Sequence, residues 1–553
     1  MANASSRLEW FQEARFGMFI HWGPYAVQRN GEWSQNADSI PTADYERVAD
    51  RFTAERFDAD AWVRAARNAG MKYMVLTTKH HDGFCLWDTA TTDWNAVKRG
   101  PRRDIVAEYV AACRRHGMRI GFYWSWLDWH QPDWAQRLVW SEIDAWRKPF
   151  ADTAAHQRMV EYLHAQVREL MTRYGPIDVL WFDGGVLSPD DYRSAELVTM
   201  IRSHQPDILI NDRSGLPGDF GTPEGCMPVA TRDRAWELCH CSHTSWGYEG
   251  DEPTRFNPPL ELLALLCDSA GLGGNLLLNV GPRPDGLFPE PTHRQLETLG
   301  RWISLNGEAI YATGAGPFGR QSWGVSTSRG NTVYLHVFRP RTPLVLRGIS
   351  APLVRAGMLA TGAPMAFRQA GTEIALDVPR ESDPLLPQVI RLEFAERPQV
   401  RSDSVVHQDP DGPVLLTANA ARTEAAGAGV TPALTLSPDA LGGRLLNWSR
   451  LGDRAAWEFE VDRGGEFAAS FEFNNPDRSN SYSRRLVMRV SGQELRASAP
   501  QSTWLHQWES YRLAGRFTLG AGRHTLTMEP YMLSAGILMN LRAVRLDPLE
   551  NED

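Results

Sequence analysis

No apolar run in the 553 residues reaches the ~18–20 residues of a membrane-crossing helix, so no bilayer span is expected. Basic residues are nowhere concentrated, and the formal net charge is −9. Phosphate binding needs clustered positive charge, so nucleic acid is not an expected partner. Cysteine is scarce: Cys85, Cys113, Cys226, Cys239, Cys241 and Cys267, with none after them. A chain this long does not need disulfide staples, so reduced thiols in a cytoplasmic protein are expected. The opening "MANASSRLEWFQEARFG" lacks the apolar core of a secretory signal and reads as the start of the folded chain. No GxGxxG or GxxxxGK[ST] loop follows a strand-like run, which disfavours a nucleotide-binding sheet.

What is present is a chain for two to four domains, 42% hydrophobic and 23% charged, as in soluble globular proteins. Tryptophan is abundant, with 21 copies. Two readings stand beside each other. The indoles can be ordinary core, or they can offer flat faces to the C–H side of sugar rings.

The first ~315 residues repeat one rhythm. "DADAWVRAARNAG" precedes "MKYMVLTTKHHDG", and "RDIVAEYVAACRRHG" precedes "MRIGFYWSWLDW". "HQRMVEYLHAQVRELMTRYGP" precedes "IDVLWFDGG", and "SAELVTMIRSHQP" precedes "DILINDRSG". Each first member has helical spacing, as at Met159, Leu163, Val167, Leu170 and Met171, and ends on Gly or Pro. Each second member is a short apolar run, as in a strand buried on both faces. "RFGMFIHWG" and "GGNLLLNVGP" add strands at the two ends. Alternating helices and buried strands make parallel βαβ units, which suit a closed barrel and an open doubly wound sheet alike; with the nucleotide-binding sheet disfavoured, a (β/α)8-like barrel over 1–315 is the expected fold. From about 316 to 400, short alternating runs indicate an antiparallel β domain. A polar, Gly/Ala-rich stretch follows near 400–445, and 401–553 as a whole is expected to form a further β-sandwich.

Barrel enzymes carry their chemistry at the C-terminal ends of the strands. Those ends here hold His21 and Trp22, then His80, His81 and Asp82, Tyr123 and Trp124, Asp183, Asp212 and Arg213, and Asn279. Asp183 followed by Gly184 and Gly185 is compatible with a plain turn. It also suits a nucleophile held rigidly at a barrel mouth, with the glycines leaving space in front of it. Glycoside cleavage needs a second carboxyl group to protonate the leaving oxygen. Glu224, in the glycine-rich "NDRSGLPGDFGTPEGCMP", can swing toward Asp183, or it can be a solvated loop charge.

The ordered motifs "RFGMFIHWGPYAV", "YMVLTTKHHDGFCLWDT", "VKRGPRRDIV", "WFDGG", "NDR", "GDFGTPE", "SWGY" and "GGNLLLNVGP..DG" resemble glycoside hydrolase family 29, the α-L-fucosidases, over roughly 7–315. The resemblance implies a (β/α)8-like barrel, cleavage of α-linked L-fucose with retention, and a fucosylated oligosaccharide or glycoconjugate as substrate. Cofactor and metal are not expected. Asp183 would be the nucleophile and Glu224 the acid/base. His21, His80, His81, Tyr123, Trp181 and Arg213 would contact the sugar, and Trp246 would form an apolar wall. Glu32 and Trp33 match a hydroxyl-binding pair on an early loop. Glu237, in "RAWELCH", is the rival for acid/base.

Two other function classes compete with this reading. A metal hydrolase could draw on His80, His81 and Asp82, or on Cys239, His240, Cys241 and His243. The adjacent histidines would point different ways, however, and neither CxxC nor HExxH occurs. A non-catalytic sugar binder should lack one catalytic carboxylate, and neither is missing. The C-terminal sandwich could be an accessory carbohydrate module or a structural domain.

Overall fold

The computed structural model describes residues 4–549 apart from 136–152, 225–233, 380–385, 401–404, 438–443, 475–483, 500–508 and the short stretches 322, 339, 341, 409–411, 426, 428–431 and 534–535. Cys226 lies outside the described residues. The described residues divide into two compact units. One takes those up to 224, 234–259 and 273–312; the other takes 260–272 and those from 313 onward.

The first unit is built on a parallel sheet of seven strands: β1 Phe16–Ile20, β2 Tyr73–Lys79, β3 Arg119–Ser125, β4 Val179–Asp183, β5 Leu209–Ile210, β6 Glu237–Cys241 and β7 Asn275–Val280. Their order is β5-β4-β3-β2-β1-β7-β6. The sheet curls until the segment after β5 closes it. Phe220 bridges Asn211, Gly221 bridges Trp236 and Glu224 bridges Cys239, all in parallel sense. An irregular eighth stave therefore joins β5 to β6, completing the barrel-like arrangement expected from the sequence.

Two of these staves depart from the sequence reading, which saw six strands. β6 is "ELCHC", whose polar and thiol side chains conceal a strand that is buried at its start. The stave 220–224 is "FGTPE", rich in breakers, and read as a mobile loop. Neither has the apolar run that normally marks a parallel strand.

Helices form where the spacing places them. Asp58 caps helix Ala59–Asn68 by accepting from the Ala61 N–H, and Asp104 caps Ile105–Arg115 through the Ala107 N–H. Helix Thr153–Arg173 buries Met159, Leu163, Val167, Leu170 and Met171 on one face. Inside the barrel, Phe19, Tyr73, Val75, Tyr123, Val179, Trp181, Leu209, Phe220 and Leu277 make a packed layer. Each large apolar side chain withdrawn there contributes roughly 1.5–3 kcal/mol. Most tryptophans whose burial decides between the two readings are core: Trp22, Trp87, Trp94, Trp124, Trp129, Trp134 and Trp236 are among the largest fully buried side chains.

In the second unit, a five-stranded and a three-stranded antiparallel sheet between Gly314 and Phe394 enclose one core. Two larger sheets between Val406 and Pro548 enclose another, around Trp448, Trp457, Phe459, Phe467, Phe471 and Phe517. The short strands Val414–Thr417, Arg422–Glu424, Thr435–Ser437 and Arg444–Leu446 belong to these sheets. Much of the Gly/Ala-rich stretch is therefore sandwich, in strands too short to show alternation. Among the described residues, no helix is long and apolar enough to cross a membrane.

Candidate active site

Strand period places the site. Alternate residues of a strand share a face, and Val179 and Trp181 of β4 point into the barrel core. Asp183 continues that face at the open end. The same alternation brings His21 up from Phe19, Ser125 from Tyr123, and Asn279 from Leu277. A cavity of about 500 Å³ lies at this end. His21, Glu32, Trp33, His80, His81, Tyr123, Trp181, Asp183, Arg213, Glu224 and Trp246 all line it. The eleven residues that the family resemblance implies for catalysis or sugar contact thus lie in one place, whereas the rival Glu237 and the strand-end residues Trp22, Asp82, Trp124 and Asn279 do not line the cavity, nor do His240, Cys241 and His243 of the metal reading.

Asp183 is held from two sides. Arg213 Nη1 donates to Oδ1 at 2.9 Å, and Tyr123 Oη donates to Oδ2 at 2.9 Å. Burial alone would raise this carboxyl. The Arg213 guanidinium and the Gly184 N–H outweigh burial and hold its pKa below the ordinary value, with His81 adding to this only where it is itself protonated, below about pH 4. It is therefore an anion at neutral pH, as a nucleophile must be. His81 Nε2 stands 3.9 Å from Oδ2. Burial pushes the His81 pKa down to about 4, so at neutral pH this contact is not an ion pair.

Arg213 spans both carboxylates. It leaves the short helical turn Asp212–Ser214, and its Nη2 donates to Glu224 Oε2 at 2.7 Å. Thr222 fixes the fork, accepting at Oγ1 from Nε (3.0 Å) and at its carbonyl from Nη2 (3.2 Å). The guanidinium also lies 4.6 Å over the Trp181 ring. Stave 220–224 thus brings Glu224 toward Asp183 through one shared cation. Bridging two carboxylates with separate arms in fixed directions suits the planar guanidinium, which lysine lacks.

The remaining candidates form the walls. The His80 ring lies nearly parallel to Tyr123, centroids 5.5 Å apart. His81 Nδ1 meets Ser125 Oγ at 2.6 Å. Trp33 stands edge-on to His81 and Trp129. Glu32 is buried, and its Oε2 accepts from Ser245 Oγ (3.2 Å) and the Gly247 N–H (2.8 Å), on either side of Trp246. It therefore fixes the aromatic wall as well as lining the cavity. Trp246 stands 5.9 Å from Phe19 and 5.1 Å from His21.

Gly184 has another role than clearance for a sugar. Its φ is +68°, and a Cβ there would meet His81 Cε1 and Ser125 Oγ at 3.0 Å. Glycine is needed for the turn and to admit the two side chains beside Asp183. Sequence reasoning missed Ser125, Trp126, Leu127, Tyr192 and Cys239 as neighbours of the site. Ser125 and Trp126 were within reach of it, since they directly follow Tyr123 and Trp124 at a strand end.

Glu237 sits lower, on the core face of β6. It accepts a hydrogen bond from Trp181 Nε1 at 3.1 Å and one from the Tyr73 hydroxyl. It is fully buried, and burial pushes its pKa up to about 7 despite those bonds. The folded state therefore binds its proton more tightly than the unfolded chain. Its stabilising share is complete below about pH 4.5 and is lost as pH rises through about 7, an effect of roughly 3 kcal/mol. Glutamine mimics the protonated form. Glu237→Gln should keep kcat/KM within roughly tenfold of wild type, a change no larger than a lost buried contact explains. It should also raise the melting temperature more at pH 8 than at pH 5. Paired thermal melts check this, and an equal shift at both pH values would be the contrary result.

The model of the family described as alpha-L-fucosidase matches residues 2–308. A tissue alpha-L-fucosidase of Bos taurus is 32% identical over 354 residues, covering 59% of this chain and 72% of the relative. The alpha-L-fucosidase of Vibrio sp. strain EJY3 superposes with a TM-score of 0.76 at 25% identity, over 99% of this chain and 98% of that one. A family 29 fucosidase of Bacteroides thetaiotaomicron, solved as a trapped covalent intermediate, gives a TM-score of 0.64 at 29% identity, over 70% of this chain and 96% of that one. With more than half its length matched by the family and its fold shared with these enzymes, the chain belongs to the α-L-fucosidase family.

Proposed function

We propose that this protein is a retaining α-L-fucosidase in which Asp183 and Glu224 carry the reaction. The single observation that supports this best is the Arg213 fork, which bonds an ionised strand-end carboxylate with one arm and a more exposed carboxyl-bearing stave with the other. Asp183 attacks the anomeric carbon while Glu224 gives its proton to the leaving oxygen, and a glycosyl ester forms on Asp183. Glu224, now ionised, takes a proton from water as that water attacks the same carbon, and Asp183 leaves as carboxylate. Retaining enzymes hold the two groups about 5–5.5 Å apart, and a shared guanidinium favours that approach. To act as an acid, Glu224 must turn from Arg213 toward the leaving oxygen, which its 45% exposed side chain allows.

The walls suit a 6-deoxy sugar. Trp246 and Phe19 offer an apolar patch for the methyl group. His21, His80, His81 and Glu32 offer hydrogen-bonding groups to the ring hydroxyls. The five described cysteines are all free thiols, which supports a reducing compartment for this chain.

The test is hydrolysis of 4-nitrophenyl α-L-fucoside followed by NMR. α-L-Fucose should appear first and then mutarotate. The β anomer appearing first would exclude retention, and no turnover would exclude the activity.

A further inference from the structure

Asn279 ends the inward face of β7 and is fully buried between two residues of the cavity. Its Nδ2 donates to the Trp246 carbonyl oxygen at 2.8 Å, and its Oδ1 meets His21 Nδ1 at 2.7 Å. These contacts admit one assignment of protons. A carbonyl oxygen only accepts, so the amide NH2 faces Trp246 and the amide oxygen faces His21. The amide oxygen also only accepts, so His21 carries its proton on Nδ1. Nε2 is left with a bare lone pair, and it is the free nitrogen of a ring that lines the cavity.

We propose that Asn279 is a positioning residue that locks His21 in the Nδ1–H tautomer, making Nε2 the acceptor for one sugar hydroxyl and tying that acceptor to the Trp246 wall. This rests on the fucosidase reading of the cavity. Three further features agree with it. Burial pushes the His21 pKa down to about 3, so the ring is neutral and keeps a lone pair throughout the working range. The titratable groups facing it are Asp183, His80, His81, Tyr123 and His243, and none of them is bonded to either ring nitrogen. The Trp246 loop is gripped on both flanks by Glu32, so the Asn279 bond to its carbonyl fixes a segment already held in place. One side chain thereby sets the distance between a hydroxyl acceptor and an apolar wall. That is what separates a deoxy sugar's hydroxyl edge from its methyl edge.

Asn279→Leu keeps the volume and removes both bonds. It should lower kcat/KM on 4-nitrophenyl α-L-fucoside by ~10- to 100-fold, mainly through KM. The decisive readout is a cycle with the 2-, 3- and 4-deoxy fucosides. At one position, removing the hydroxyl should cost wild type ~10-fold more than it costs N279L, because the variant has already lost the acceptor. The intrinsic reactivity of each deoxy sugar cancels in the cycle. Additive losses at all three positions, or an unchanged kcat/KM, would overturn the proposal.

Asn279→Asp serves if the leucine variant does not fold. In its acid form the carboxyl group reproduces the asparagine pattern, with O–H toward Trp246 and C=O toward His21. Its kcat/KM relative to wild type should therefore be higher at pH 5 than at pH 8. A flat or inverted ratio would count against the proposal. A wild-type chain inert on the parent fucoside would overturn the fucosidase reading and this inference with it. With wild type active, only the role of Asn279 is at stake.

Discussion

Replacing Asp183 with glycine is expected to lower kcat on an aryl α-L-fucoside by on the order of 10⁴–10⁶-fold, the scale of losing a covalent nucleophile. The loss arises in kcat because Asp183 acts on the reacting carbon, while the walls that bind the sugar stay in place. Sodium azide should restore turnover, since a small anion can occupy the space left by the carboxyl group and attack the same face. The product would then be the β-fucosyl azide, inverted relative to the substrate, identified by NMR. Tyr123 and Arg213 both lose a partner in the variant. Arg213 keeps Glu224 and the Thr222 carbonyl, so its charge is not stranded. The melting temperature should accordingly move by only a few degrees, which thermal denaturation checks. Activity near wild type, or azide that gives no adduct, would remove Asp183 from the nucleophile role.

Glu224→Gln should show a loss that depends on the leaving group. A 4-nitrophenolate leaves without much help, so its fucosyl transfer should fall by about tenfold or less. A sugar or alkyl leaving group needs protonation, and its kcat/KM should fall by ~10²–10⁴-fold, the usual worth of a positioned general acid. Azide should again accelerate turnover, now with retention, because the nucleophile is intact and only activation of water is missing. The contrast with Glu237→Gln decides between the two glutamates. Glu237 touches Trp181 and Tyr73 in the barrel core, has no place in the cavity lining, and should show no leaving-group dependence. A uniform loss across leaving groups for Glu224→Gln would reassign that residue to holding Arg213.

Much of this was legible before the structure. Four helix–strand pairs were found by their spacing because helix and buried strand leave different periods in the sequence. The capping aspartates sharpened the helix starts. The polar residues at the strand ends were visible because each interrupts an apolar run at the point where the run stops. Strand β6 escaped because Glu237, Cys239 and His240 break the apolar pattern, and only the enclosed barrel shows that the first two are buried. Stave 220–224 escaped because glycine and proline dominate it. It holds its place between both neighbours, through Asp219 N–H to the Ile210 carbonyl and the Asn211–Phe220 bridge on the β5 side and Gly221 N–H to the Ala235 carbonyl on the β6 side. Tertiary pairing there overrides local propensity.

The sequence by itself determined the kinds of element, the parallel βαβ rhythm, the β-rich second half, and the residue types available at the strand ends. It did so because local periodicity and short motifs are properties of neighbouring residues. Only the tertiary structure decided which of those residues meet. Arg213 joins Asp183 to Glu224, Asn279 joins His21 to Trp246, and Glu32 clasps a loop more than two hundred positions away. Hydrogen-bond direction, burial and tautomer follow from such encounters. They depend on distances across the barrel that no single stretch of the chain encodes.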